Sequence, residues 1–73
     1  MPLDNVQIIE NVFTPEQKQQ IVTRLTDAMV SIEGEALRSY TWVKIEEIKE
    51  GNWAIGGQSL RAADVHRLQK SGG

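Results

Sequence analysis

The sequence predicts an α+β chain: a β-α-β unit with parallel strands, followed by a short C-terminal hairpin, with its sheet completed by association with other copies. Three observations predict it. A β-branched segment opens the chain, one long amphipathic helix follows with explicit start and stop signals, and a second alternating segment comes directly after it. Parallel strands need a crossover of a dozen or more residues, and such crossovers are right-handed. The chain has only 73 residues and no cysteine. A single core in so short a chain rarely contributes more than about 3–5 kcal/mol, and a two-stranded sheet does not stand alone in water. Oligomerisation is therefore expected from size alone.

Taken in order, residues 3–10 (LDNVQIIE) alternate loosely, with Val6 and Ile8 on one side and Asn5, Gln7 and Ile9 on the other. This is the pattern of a strand partly covered on both faces. Thr14-Pro15-Glu16-Gln17 then opens a helix: Thr14 as cap, Pro15 in the first turn where its missing N–H is not needed, and Gln17 reaching back to complete a capping box. Ile21, Val22, Leu25, Ala28, Met29 and Ile32 form the expected apolar stripe, with Lys18, Gln20, Arg24, Asp27 and Ser31 off it. Gly34 ends the helix. Residues 39–48 (SYTWVKIEEI) read as the second strand, with Thr41, Val43 and Ile45 on one face and Tyr40, Trp42, Lys44 and Glu46 on the other. The helix covers the first of these faces and leaves the second, with Trp42, for another copy. Residues 49–52 are a turn, and 53–58 form a small hairpin or extended lid. Residues 60–69 read as a short helix with Leu60, Val65 and Leu68 inward, and 71–73 as a loose end. The chain has room for one domain, with a core over 1–60 and a tail over 61–73.

Composition narrows the function. The net charge is −2, where a nucleic-acid footprint needs a basic face. No apolar run approaches the roughly 20 residues that cross a bilayer. Neither nucleic acid nor membrane is expected as a partner, and a cytoplasmic location is the simplest expectation. The absence of cysteine removes thiolate metal sites and cysteine nucleophiles, and the lone His66 has no ligand cluster around it, so no metal or cofactor is expected. His66 reads as a solvated side chain. Gly56-Gly57 is a tight turn, because it does not lead from a strand into a helix with phosphate-loop spacing. Pro2 is the exception. With Met1 removed it presents a secondary amine, and amino termini titrate near pH 7.7–8.0. Burial against apolar groups lowers that value, which suits a base that moves protons beside a carbonyl.

Met1-Pro2 at the head of the first strand, the helix entry Glu16-Gln17-Lys18, the helix length and the segment Gly51-Asn52-Trp53-Ala54-Ile55-Gly56-Gly57 together resemble the 4-oxalocrotonate tautomerase family over nearly the whole chain to about residue 60. The resemblance implies the tautomerase fold, in which protomers pair to form four-stranded sheets and three pairs form a homohexamer. It also implies a keto-enol tautomerase acting on a small molecule, with Pro2 as general base and acid and Trp53 as an apolar pocket wall.

The family's arginines, one just after the first strand and one in the second, bind substrate carboxylates. Here the first region reads Asn11-Val12-Phe13, and the strand position holds Trp42. Arg38 and Arg61 are the remaining substrate-binding candidates, each reaching the pocket of a neighbouring copy. Trp42 and Trp53 together imply a more apolar ligand, aromatic or monocarboxylate, in place of a dicarboxylate. The alternative is a non-catalytic oligomeric or ligand-binding module that kept the fold without the arginines. Relatives that hydrate haloacrylates use a carboxylate where this chain has Ile55, and Glu50, just before the turn, is expected to be exposed.

Overall fold

The computed structural model describes residues 2–71. Met1, whose removal the proline chemistry requires, and Gly72-Gly73 of the expected loose end lie outside the described residues; Ser71, expected to be loose with them, is the last residue of a helix. Strand β1 (Leu3–Ile9) is followed by helix α1 (Pro15–Glu33), a short 3-10 helix (Glu35–Tyr40), strand β2 (Trp42–Ile48), the strand pair β3 (Trp53–Ile55) and β4 (Gln58–Leu60), and helix α2 (Ala62–Ser71). β1 and β2 pair in parallel, from Leu3 opposite Trp42 to Ile9 opposite Ile48. β2 thus begins at Trp42 instead of Ser39, because the residues after Gly34 first form the 3-10 turn that brings the chain back to the sheet.

α1 starts as its sequence dictates. Thr14 Oγ1 accepts the Gln17 N–H at 3.1 Å, and Gln17 Oε1 accepts the Thr14 N–H at 2.9 Å. Two of the helix's orphan donors are satisfied reciprocally. Gly34 closes it with φ 106° and donates its N–H to the Val30 carbonyl at 2.9 Å. Ile21, Val22, Leu25 and Met29 are half-buried toward the sheet, and Val30 is buried. Lys18, expected off the stripe, is also half-buried and pairs with Glu47 of β2. Ala28 is exposed and Ile32 is 85% exposed, contrary to the expected stripe. A helix of 19 residues is about 28 Å long at 1.5 Å per residue. A seven-residue strand spans only about 23 Å. The last turn nevertheless keeps contact through buried Val30 and through Glu33, which accepts the Thr41 hydroxyl, and Ile32 lies on the outward flank of that turn.

On the face under α1, Val6, Val43 and Ile45 are half-buried and Ile8 is buried. The opposite face is divided. At its far end the C-terminal segment folds over it. β3 and β4 pair antiparallel, with Trp53 opposite Leu60, through a two-residue turn at Gly56 (φ 57°) and Gly57 (φ 81°). Two successive positive φ angles match the hairpin turn whose twist suits the strands, and glycine takes them without penalty. Ile9, Val12 and Ala62 are buried together, with Phe13, Trp53, Leu60 and Val65 packed around them. Leu68, expected inward, is 61% exposed: only the first turns of α2 meet the core, and the rest extends past it. At the near end Leu3 (57% exposed) and Trp42 (60%) stay largely open among the described residues.

Glu50, expected to be exposed, is instead half-buried and joins three segments. Its Oε1 accepts the Ala62 N–H at 2.7 Å, its Oε2 accepts an Asn11 Nδ2 hydrogen at 3.1 Å, and its own N–H donates to Glu10 Oε1 at 3.2 Å. The bond from Ala62, and next that from Asn11, hold its carboxyl below the ordinary glutamate range.

Two outcomes follow from these contacts. Thr14→Ala should lower unfolding stability by about 1 kcal/mol, read by chemical denaturation at fixed protein concentration. A depressed carboxylate contributes stability that is fully present above its unfolded value and lost as pH falls through its folded value. Denaturation midpoints measured from neutral pH down through the glutamate range should therefore show the natural chain losing stability relative to Glu50→Gln. Parallel profiles would remove Glu50 from the acid limb.

Candidate functional site

The sequence-predicted site residues fall into two groups at opposite ends of β1. At its head, Pro2 is half-buried and its carbonyl accepts the Trp42 N–H at 3.0 Å. This bond continues the parallel ladder by one step, so Pro2 is held against the start of β2 and is not a free tail. Exposed apolar side chains gather at this end: Leu3, Ile32 in the last turn of α1, Leu37 and Tyr40 of the 3-10 helix, and Trp42. In a β-α-β unit the helix runs back against its strands, so its C-terminus arrives beside the strand starts. That places the last turn of α1 at the Pro2 end of the sheet.

Arg38 also lies at this end, in the 3-10 helix, but it is engaged. Its Nη1 is 2.9 Å from Asp27 Oδ1, and its Nε is 2.7 Å from Glu35 Oε1. These two carboxylates, Glu35 first, hold the guanidinium still more firmly in its charged form, and Arg38 in turn lowers the Glu35 pKa. Trp42 faces outward from the sheet beside Leu3, and its indole packs on no apolar core of the protomer.

At the other end lie Trp53 and Arg61. Trp53 is half-buried against the cluster of Ile9, Val12 and Ala62. An apolar cleft of about 250 Å³ opens there, lined by Ile9, Val12, Phe13, Trp53, Leu60 and Val65 among others. Arg61 follows Leu60, the partner of Trp53 in the hairpin. Its guanidinium lies against Gly51, with Nη2 3.3 Å from where a side chain on that residue would begin. Among the described residues Arg61 forms no ion pair within hydrogen-bonding reach.

Pro2 and Trp53 thus flank the two ends of β1, about 20 Å apart at 3.3 Å per strand residue. Within one protomer they cannot wall the same pocket. A site that uses both must draw them from different copies.

Sequence reasoning missed Glu50 and Asn11. One signal for them was present. α2 starts immediately after Arg61, which is not a capping residue type, so the Ala62 N–H needed an acceptor from elsewhere in the chain. The carboxylate ahead of the Gly51 turn supplies it. Asn11 takes positive φ (68°), which asparagine tolerates better than most residues. His66 is exposed as expected, but its Nε2 lies 3.3 Å from the Asn11 carbonyl oxygen.

Among the described residues, no helix is long and apolar enough to cross a membrane.

Comparisons with known proteins agree with this architecture. A sequence model of the tautomerase enzyme family matches residues 2–63. A probable tautomerase K2 of Dickeya dadantii (strain 3937) is 37% identical over 60 residues, which is 82% of this chain and 88% of the relative. Among solved structures, a 4-oxalocrotonate tautomerase isozyme of Methylibium petroleiphilum superposes with a TM-score of 0.73 at 30% identity, covering 85% of this chain and 97% of that one. DmpI from Helicobacter pylori superposes with a TM-score of 0.68 at 29% identity, covering 81% and 95%. The family match spans most of the chain, including Pro2, the β-α-β unit and the hairpin, so the chain belongs to the tautomerase family.

Proposed function

We propose that this protein is a keto-enol tautomerase of small enol acids, with the Pro2 nitrogen as the proton carrier. The observation that carries the reading is the place of Pro2: a proline pinned at the head of β1, in a chain of a tautomerase family. Once Met1 is removed, the Pro2 nitrogen is a secondary amine. Uncharged, it takes the proton of an enol hydroxyl as the carbonyl forms, and the resulting ammonium returns a proton to carbon. No group is oxidised or reduced, and the amine is regenerated. An amine does this near neutral pH only if its charged form is disfavoured, and apolar walls disfavour it by desolvation.

Those walls come from a second copy. The separation of Pro2 from Trp53 along β1 supports a composite site, with Pro2 and Trp42 from one copy and Trp53 and Arg61 from another. Arg61 is the better placed of the two arginine candidates to grip a substrate carboxylate, because Arg38 already serves Asp27 and Glu35. A planar guanidinium holds a carboxylate through two parallel bonds. One such grip beside Trp53 and the apolar cleft suits a monocarboxylate with an apolar substituent, such as a 2-hydroxydienoate or an aryl enol acid. The open sheet face around Leu3 and Trp42 suits pairing of sheets, and the apolar tip around Ile32, Leu37 and Tyr40 suits a further contact. Both support a homohexamer built as a trimer of dimers, with the small molecule as its partner.

Ketonisation of a 2-hydroxydienoate and of phenylenolpyruvate, followed by absorbance after intact mass has confirmed loss of Met1, tests the reading. Pro2→Ala should lower kcat/KM at least about 100-fold, the lower range for a lost general base. Equal near-background rates in both proteins would favour the non-catalytic ligand-binding module. Sedimentation should give about six chains per particle, the closed assembly expected of this symmetry. A monomer would sink the composite site.

A further inference from the structure

Three segments meet at the Glu50 carboxylate, and none of them touches Pro2. One oxygen accepts the first N–H of α2 (Ala62, 2.7 Å), and the other accepts the side-chain amide of Asn11 in the β1–α1 loop (3.1 Å). The Glu50 N–H reaches Glu10 Oε1 at 3.2 Å, and the next residue, Gly51, donates to the Leu60 carbonyl at 3.2 Å. A second contact closes the same joint, since His66 Nε2 of α2 sits 3.3 Å from the Asn11 carbonyl oxygen. The helix so fastened contributes Ala62 and Val65 to the cluster on which Trp53 packs. The family match ends at residue 63, so most of α2 extends beyond it.

We propose that Glu50 is a positioning residue for the substrate pocket: its carboxylate clamps α2 to the Asn11 loop, and α2 in turn fixes Trp53 and one wall of the adjoining apolar cleft. This rests on the reading of Trp53 as a pocket wall. Without the clamp, the first N–H of α2 and the Asn11 amide lose their acceptor, and the helix keeps the His66 contact and a few apolar contacts through Ala62 and Val65. Trp53 then loses the firm placement of the part of its packing surface that α2 supplies, while Ile9 and Val12 remain. Pro2 of the same copy lies at the far end of β1 and keeps its ladder bond, so the change reaches a proton carrier only through the wall shared with a neighbouring copy. At a pH where that amine is already uncharged, the consequence falls on substrate binding.

Glu50→Ala and Glu50→Gln separate this from a general structural role. Glutamine keeps an oxygen for the Ala62 N–H, and its amide satisfies Asn11 once the Asn11 side chain flips. In the assembled protein, amides of α2 in Glu50→Ala should exchange with solvent at least about 10-fold faster, with those of the Trp53 hairpin following. KM for the aryl enol should rise at least about fivefold while kcat stays within about twofold. Glu50→Gln should restore both.

The proposal is overturned if α2 keeps its protection in Glu50→Ala, if α2 loosens while KM is unchanged, if kcat falls with KM unaltered, or if the variant no longer sediments like the parent. If the parent shows no turnover dependent on Pro2, the proton-carrier reading fails separately. The clamp is then judged by exchange alone: protection lost in both α2 and the hairpin supports it, and loss in α2 alone overturns it.

Discussion

The structure depends on one imbalance: two parallel strands are covered by a single helix. α1 buries one face of the β1–β2 pair, and nothing of equal size covers the other. A sheet of two strands exposes both of its edges and one whole face, and the burial on the covered side is too small to stabilise it alone. Every other feature answers that imbalance. The C-terminal hairpin and α2 fold back over the far half of the open face and bury Ile9. The near half, with Leu3 and Trp42, stays open, and the candidate base Pro2 is located at that half. In the proposed assembly, the chemistry sits where a second copy completes the sheet.

The division of the open face explains why the turn after β2 carries so much of the polar bonding. The hairpin and α2 offer little apolar area, since only Ala62 among their residues is buried. Their attachment relies on directed bonds, and the Glu50 carboxylate concentrates these at one point. Charge-assisted bonds to backbone and amide donors are among the stronger ones available at a surface. Lys18 with Glu47 acts similarly between α1 and β2, but as a partly exposed ion pair of small value.

Much of this was legible in the chain. Thr14, Pro15 and Gln17 carry the whole start of α1, because capping is local chemistry that depends on neighbouring residues alone. The hairpin followed from Gly56-Gly57, and the parallel pairing from the length of the crossover. Ile32 and Leu68 were misplaced for different reasons. Ile32 lies on the flank of its stripe, in a turn whose Val30 is buried, and Ala28 is exposed as well. Leu68 lies past the end of the core, which periodicity does not reveal. Glu50 escaped because its partners are 12 and 39 residues away in sequence, and no local pattern joins them. The site itself was readable only as a set of residues. Pro2, Trp42, Trp53, Arg38 and Arg61 could be named, while their division between two ends of one strand required the register of β1 against β2.

That division bears on how substrate choice can evolve here. A pocket wholly inside one protomer changes its base and its binding wall together, since both share a core. In this chain the Pro2 end is set by the strand pairing, and the Trp53 end by a hairpin and a helix fastened through a few polar bonds. Substitutions around Glu50, Asn11 or α2 can reshape the wall without disturbing the ladder that pins Pro2. The commitment of Arg38 to Asp27 and Glu35 leaves Arg61, which lies against Gly51 in the turn before Trp53, as the candidate arginine without an ion pair among the described residues. Its neighbour Leu60 pairs with Trp53, so carboxylate recognition and apolar recognition move as one unit on the hairpin. A shift in the hairpin then alters the wall, while the ladder bond that pins Pro2 in its own copy is untouched.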